Sequence, residues 1–179
     1  MKTAYLPIIC LFISFYNWVS GQTVNVPFTP DKWNMEGAQI SQETYQGKEC
    51  ILLKSGNLIS KDIDFRDGVI EVDVSLPQRR GFPGIAFRVM DQQNFENFYM
   101  RPHQSGNPDA NQYTPVFNGL AGWQLYYGEG YSKPFNYKFD QWHHVKIDVH
   151  GITAEIYIDD MQTPLIKITE LKHGWKSGN

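Results

Sequence analysis

Beyond residue 40 the hydrophobic and polar positions of the chain follow a period of two. In Val69-Ile70-Glu71-Val72-Asp73-Val74-Ser75-Leu76, the apolar residues Ile70, Val72, Val74 and Leu76 alternate with Glu71, Asp73 and Ser75. Successive strand side chains point to opposite faces, so this predicts a strand with one face on a core and one polar face. Asp67-Gly68 before it is a turn signal, and Pro77 ends it. Gly84-Ile85-Ala86-Phe87-Arg88-Val89 repeats the pattern and predicts Ile85, Phe87 and Val89 inward, with Ala86 and Arg88 outward. Residues 145–149 and 154–159 alternate on either side of His150-Gly151, the signature of a hairpin with a short loop. Further strands are predicted near 48–54, 58–61, 96–101, 122–127 and 165–168. No stretch of ten or more residues keeps a 3.6-residue period with caps. Many short strands between turn signals predict an all-β fold, an antiparallel β-sandwich or barrel. One polar segment, 102–120, is rich in Gly, Pro and Asn and longer than an ordinary connection. Its Tyr113 and Phe117 predict that it packs over the sandwich as a roof.

The start of the chain reads differently. Met1-Lys2 is a short basic start, residues 4–15 are mostly apolar, and Val19-Ser20-Gly21 offers modest side chains at a cleavage site. This predicts a signal peptide over 1–21 and a single exported domain, secreted or periplasmic, over 22–179. The apolar run ends at Asn17, short of the roughly 20 residues a spanning helix needs. The mature chain then keeps one cysteine, Cys50, inside the run Ile51-Leu52-Leu53, which predicts a small buried hydrophobe. With no disulfide, stability rests on an apolar core. The 41% hydrophobic and 15% aromatic residues supply one and exclude a disordered chain. The net charge of −3 argues against nucleic acid as a partner, because the one dense basic cluster, Arg79-Arg80, is too small for phosphate binding.

Several segments in order carry a family resemblance. They are Phe65-Arg66-Asp67-Gly68-Val69-Ile70-Glu71-Val72-Asp73-Val74, then Pro83-Gly84-Ile85-Ala86-Phe87-Arg88, then Trp142-His143-His144-Val145-Lys146-Ile147 with Ala154-Glu155-Ile156-Tyr157-Ile158-Asp159-Asp160. Over residues 33–179 the chain resembles the concanavalin A-like lectin/glucanase superfamily, the laminin-G-like jelly roll. It is also similar to secreted bacterial family-16-like and 3-keto-disaccharide hydrolase domains. The resemblance implies a jelly roll and, since its members often bind calcium, an optional calcium ion. It also implies a further strand after residues 174–179 that closes the sheet. The sequence ends at Ser177-Gly178-Asn179, so an open edge and self-association through it are expected.

Three chemistries compete on this scaffold. Hydrolysis of glycosides takes two carboxylates about 5–9.5 Å apart. Glu71 and Asp73 are the catalytic candidates, but Ser75 stands where the resembling glucanases carry a third acid. Binding is the second. Residues 95–142 interleave aromatic rings with amide and charged side chains, as a sugar with apolar faces and a ring of hydroxyls requires. Arg88, Tyr99, Arg101, His103, Asp109, Tyr113 and Tyr126 are the candidate ligand contacts, on the polar sheet face and under the 102–120 loop. Trp123 and Trp142 are assigned to the core, and Tyr113, Tyr126 and Tyr131 to the surface. Metal is the third. Asn107, Asp109 and Asn111 space oxygen ligands at alternate positions but lack the glycine and glutamate of an EF-hand loop. The adjacent His143 and His144 point to opposite faces of a strand and do not chelate together. The reading is an exported carbohydrate-binding sandwich, with a glycoside hydrolase and a laminin-G-like adhesion module as alternatives.

Overall fold

The computed structural model describes residues 23–178; the expected signal peptide and the final residue, Asn179, lie outside the described residues. The strands β1 (Trp33–Asn34), β2 (Gln39–Tyr45), β3 (Lys48–Ser55) and β4 (Ile59–Ser60) come first, and β1 pairs with β4 while β2 and β3 form a hairpin. Next come β5 (Gly68–Ser75), β6 (Gly84–Asp91), β7 (Asn94–Met100) and a 3-10 turn at Pro102–Gln104. The chain continues through β8 (Asn111–Tyr113), β9 (Val116–Phe117), β10 (Leu120–Ala121), β11 (Ser132–Lys133), β12 (Trp142–His150), β13 (Thr153–Ile158) and β14 (Ile166–Ile168).

Two antiparallel sheets make the sandwich. One has the order β14-β13-β12-β5; the other is built on β7, with β6 on one edge and β8 and β9 along the other. The alternating segments explain why they meet. Val72 faces Val145 across the ladder and Ile70 faces Ile147, so the inward face of the four-stranded sheet is aliphatic. Phe87, Phe98, Met100 and Tyr113 of the six-stranded sheet pack against it in one core cluster. A side chain of this size moved from water into such a core contributes about 1.5–3 kcal/mol. Among the described residues no helix is long and apolar enough to cross a membrane.

The fold departs from the expectations above at four places. In β6 a bulge shifts the register between Phe87 and Asp91, and Arg88 sits at φ 51°. An extra residue in one strand breaks the period of two. Phe87 and Arg88 therefore both turn inward, and Arg88 has no exposed surface. The 102–120 segment does not roof the sandwich but supplies β8, β9 and β10, with Tyr113 and Val116 buried. Residues 122–127 form a turn and not a strand, and Leu125 and Tyr127 are exposed. Cys50 is half-buried, because the β2–β3 hairpin has little protein over it and Leu52 and Leu53 are exposed.

A polar hub closes one end of the core. Arg88 donates Nε to the Arg66 carbonyl (2.8 Å), Nη1 to that of Gly174 (2.6 Å) and Nη2 to that of Gly151 (2.6 Å). The Glu96 carboxylate accepts from the Tyr113 hydroxyl (2.6 Å) and the His173 backbone N–H (2.9 Å). Burial first, and then the neighbouring Glu96 charge, push the Tyr113 phenol far above its ordinary range. Gly178 forms an antiparallel bridge with Phe65 and lies against the backbone of Val89, where a Cβ would fall 2.3 Å from the Val89 oxygen.

Candidate functional site

The outer face of the six-stranded sheet carries a groove that gathers several of the candidate residues. In β7 Phe98 and Met100 point into the core, so Asn97 and Tyr99 point outward, and Arg101 continues that row. Gly84 lets β6 approach closely, since a Cβ there would lie 2.7 Å from the Phe98 carbonyl and 3.0 Å from Tyr99 Cβ. Gln112 of β8 stands beside Tyr99 in the register. The Tyr99 hydroxyl donates to Gln112 Oε1 (2.5 Å) and accepts from Arg101 Nη2 (2.8 Å). Arg101 Nη1 is paired with the Asp109 carboxylate. Gln112 Nε2 in turn donates to the carbonyls of Trp123 (2.7 Å) and Tyr126, which ties the 122–127 turn to the sheet. Burial raises the Tyr99 phenol above its ordinary value, against the opposing pull of Arg101, so it is a neutral donor at all physiological pH.

Around this floor stand aromatic walls. The Arg101 guanidinium lies 5.2 Å from the Tyr99 ring centre, 5.6 Å from that of Trp123 and 6.0 Å from that of Phe82. Trp123 is 48% exposed and Phe82 54%, so both rings present a face to solvent. They border a groove of about 530 Å³, also lined by Asn97, Gln104 and Thr114. A second hollow of about 580 Å³ adjoins it and shares Arg80 and His103 as lining. Three buried side-chain atoms in this groove have no partner among the described residues: Arg101 Nε, His103 Nδ1 and Thr114 Oγ1. Buried polar groups are nearly always satisfied. These three atoms are themselves closed to solvent, and Trp142 Nε1 and Asp148 Oδ1 elsewhere share that state.

The structure brings only part of the expected site together. Tyr99, Arg101, His103 and Asp109 share the groove or its support. Glu71 and Asp73 do not join them, because they project from β5 on the outer face of the other sheet, with the core between. There Asp73 accepts from Lys48 Nζ (2.6 Å) and faces His144 Nδ1 (2.7 Å), and Glu71 lies 3.7 Å from His144 Nε2. Lys48 and then His144 hold the Asp73 carboxyl below its ordinary value. Arg88 is in the core with its donors committed to carbonyls, so it cannot meet a ligand. Tyr113 is likewise fully buried. Tyr126 is half-buried behind Gln112, packed on Tyr113 and Tyr131. Nor do the three spaced oxygen ligands converge: Asn107 donates to Gln104, Asp109 is taken by Arg101, and Asn111 is buried against Tyr137 and the Lys133 carbonyl. His143 is buried between Asp159 and the Lys138 carbonyl while His144 faces out, as alternation requires.

No protein-family model matches the chain, and no curated protein matches its sequence. A solved structure does. The carbohydrate-binding module CBM66 from Bacillus subtilis is similar to this chain at a TM-score of 0.61 and 17% identity, over 82% of this chain and 83% of that one. This likeness supports the fold, an antiparallel β-sandwich.

Trp123, Phe82 and Thr114 line the groove and Gln112 supports it, and the alternation did not reveal any of them. Trp123 was hidden by an apparent strand, Trp123-Gln124-Leu125-Tyr126-Tyr127. The counter-signal is the glycine at 119, 122, 128 and 130, which marks a turn-rich stretch. Phe82 sits in the short Gly81-Phe82-Pro83 link, where no period exists to read.

Proposed function

We propose that this chain is an exported glycan-binding β-sandwich whose ligand lies in the groove between Phe82 and Trp123, on the outer face of the six-stranded sheet. The carrying observation is the exposed faces of Trp123 and Phe82 on either side of a groove lined by Asn97, Arg101, His103 and Gln104. A sugar ring has apolar C–H faces for the indole and hydroxyls for the polar side chains Asn97, His103 and Gln104 that line the groove. Pairing of Arg101 with Asp109 and Tyr99 fixes the floor before any ligand arrives, which lowers the ordering cost of binding. The likeness to a carbohydrate-binding module supports the same reading. The hydrolase alternative would use Glu71 and Asp73, and a general acid at neutral pH needs a raised carboxyl pKa. Asp73 is held low, which disfavours it.

Titration calorimetry against a panel of oligosaccharides tests the proposal. Trp123→Ala is expected to weaken the bound saccharide about tenfold or more. Its melting temperature is expected to stay within about 2 °C of the parent, because the indole is half exposed. Binding that survives Trp123→Ala and disappears in Glu71→Gln or Asp73→Asn would move the site to the other face.

A further inference from the structure

The two adjoining hollows are lined by basic side chains and by no acidic one. The whole sequence carries 19 Asp and Glu against 16 Lys and Arg. Yet no acidic side chain lines either hollow, while Arg79, Arg80 and Arg101 do. Arg101 is neutralised by Asp109. Arg79 and Arg80 make no ion pair among the described residues. The Arg80 guanidinium lies 5.8 Å from the ring centre of Phe82, on the aromatic wall itself. Both arginines border the hollow, and a fork of N–H donors matches a carboxylate or sulfate oxygen pair.

We propose, resting on the glycan-binding reading above, that the groove takes an acidic glycan, whose sugar ring stacks on Trp123 and whose carboxylate or sulfate meets Arg79 and Arg80. The acidic group sits in the hollow that Arg80 and His103 join to the main groove. Affinity then depends on salt, since the paired charges are near solvent.

The test uses the full chain and four probes: polygalacturonate, the same polymer fully methyl-esterified, dextran sulfate and dextran. Calorimetry or affinity electrophoresis reads the affinity at low and at physiological salt. Polygalacturonate is expected to bind at least about tenfold more tightly than its ester if the acid is a carboxylate. If the acid is a sulfate, dextran sulfate gains the same margin over dextran. The double variant Arg79→Gln/Arg80→Gln is expected to erase that margin without changing the melting temperature, because both residues are exposed. Trp123→Ala is expected to weaken the acidic probe as well. Equal affinity for an acidic probe and its neutral counterpart would overturn this inference and leave the groove as a neutral-glycan site. Binding of the acidic probe unaffected by Trp123→Ala would reduce it to unspecific charge attraction and overturn it too. Failure of all four probes, together with a failed neutral oligosaccharide panel, would remove the glycan-binding reading itself.

Discussion

Arg88 is the sharpest test of the partition between core and site. It looks like a surface residue in the sequence, yet it has no exposed surface and bonds three carbonyls from distant parts of the chain. Arg88→Met keeps the length and apolar stem of the side chain and removes every donor. A hydrogen bond with one charged partner contributes about 1.5–3 kcal/mol, and a buried carbonyl left without a donor forfeits a similar amount. Three bonds would give about 4.5–9 kcal/mol, but loss of the buried charge itself relieves desolvation, so a net loss of about 3–5 kcal/mol is expected. That is a large part of the 5–15 kcal/mol or so that hold a domain folded. In urea, with a slope of about 2 kcal/mol per molar, the midpoint followed by tryptophan fluorescence falls by about 1.5–2.5 M. Arg88→Lys restores the charge with a single ammonium and recovers part of the loss. The saccharide affinity of the folded fraction stays at the parent value. A midpoint shift under about 0.5 M, or a stable Arg88→Met protein that no longer binds, would refute the bracing role.

Tyr113→Phe removes the donor to Glu96 and the acceptor of the Lys172 backbone N–H (3.0 Å), and leaves a buried carboxylate short of one partner. A loss of about 1–3 kcal/mol in thermal or urea unfolding is expected, with no change in binding. Asp73 links stability to acid. Its folded pKa is depressed below 3.8 by Lys48 and His144, so its contribution is complete above 3.8 and is lost as the pH falls through the folded value. Asp73→Asn is expected to flatten that acid limb by less than about 1 kcal/mol, since the carboxylate is partly exposed. Glu71→Gln is expected to leave saccharide affinity unchanged, measured by the same calorimetry as the parent. Gly84→Ala drives a Cβ to 2.7 Å from the Phe98 carbonyl. It is expected to destabilise by about 1–3 kcal/mol and to weaken binding by shifting Tyr99.

The sandwich was legible because period-two segments such as 69–76 and 145–149 have one aliphatic face that must be covered. The same logic placed Tyr99 and Arg101 on an outer face, where the groove is. It failed at Arg88 because a bulge adds one residue to the strand and reverses the facing of the residues after it, and a bulge leaves no mark in Ala86-Phe87-Arg88-Val89. It failed again for Glu71 and Asp73. Their polarity is local and readable, but which of two outer faces they share with Arg101 depends on strand order across the sandwich. Tyr113 and Trp123 exchanged roles for a related reason. Each lies in a stretch where glycine and proline interrupt the period, so their burial is decided by β8 joining β7 and by Gln112 holding the 122–127 turn.

The groove divides into a fixed base and interchangeable walls. Asn97 and Tyr99 ride on a central strand and cannot move without disturbing the core, whereas Arg79, Arg80, Phe82 and Trp123 occupy connections outside the strands. Connections accept substitution and length change far more readily than strands. New selectivity, whether reached by natural drift or in the laboratory, is therefore most accessible through the 78–82 and 122–127 segments, with the platform beneath them inherited intact.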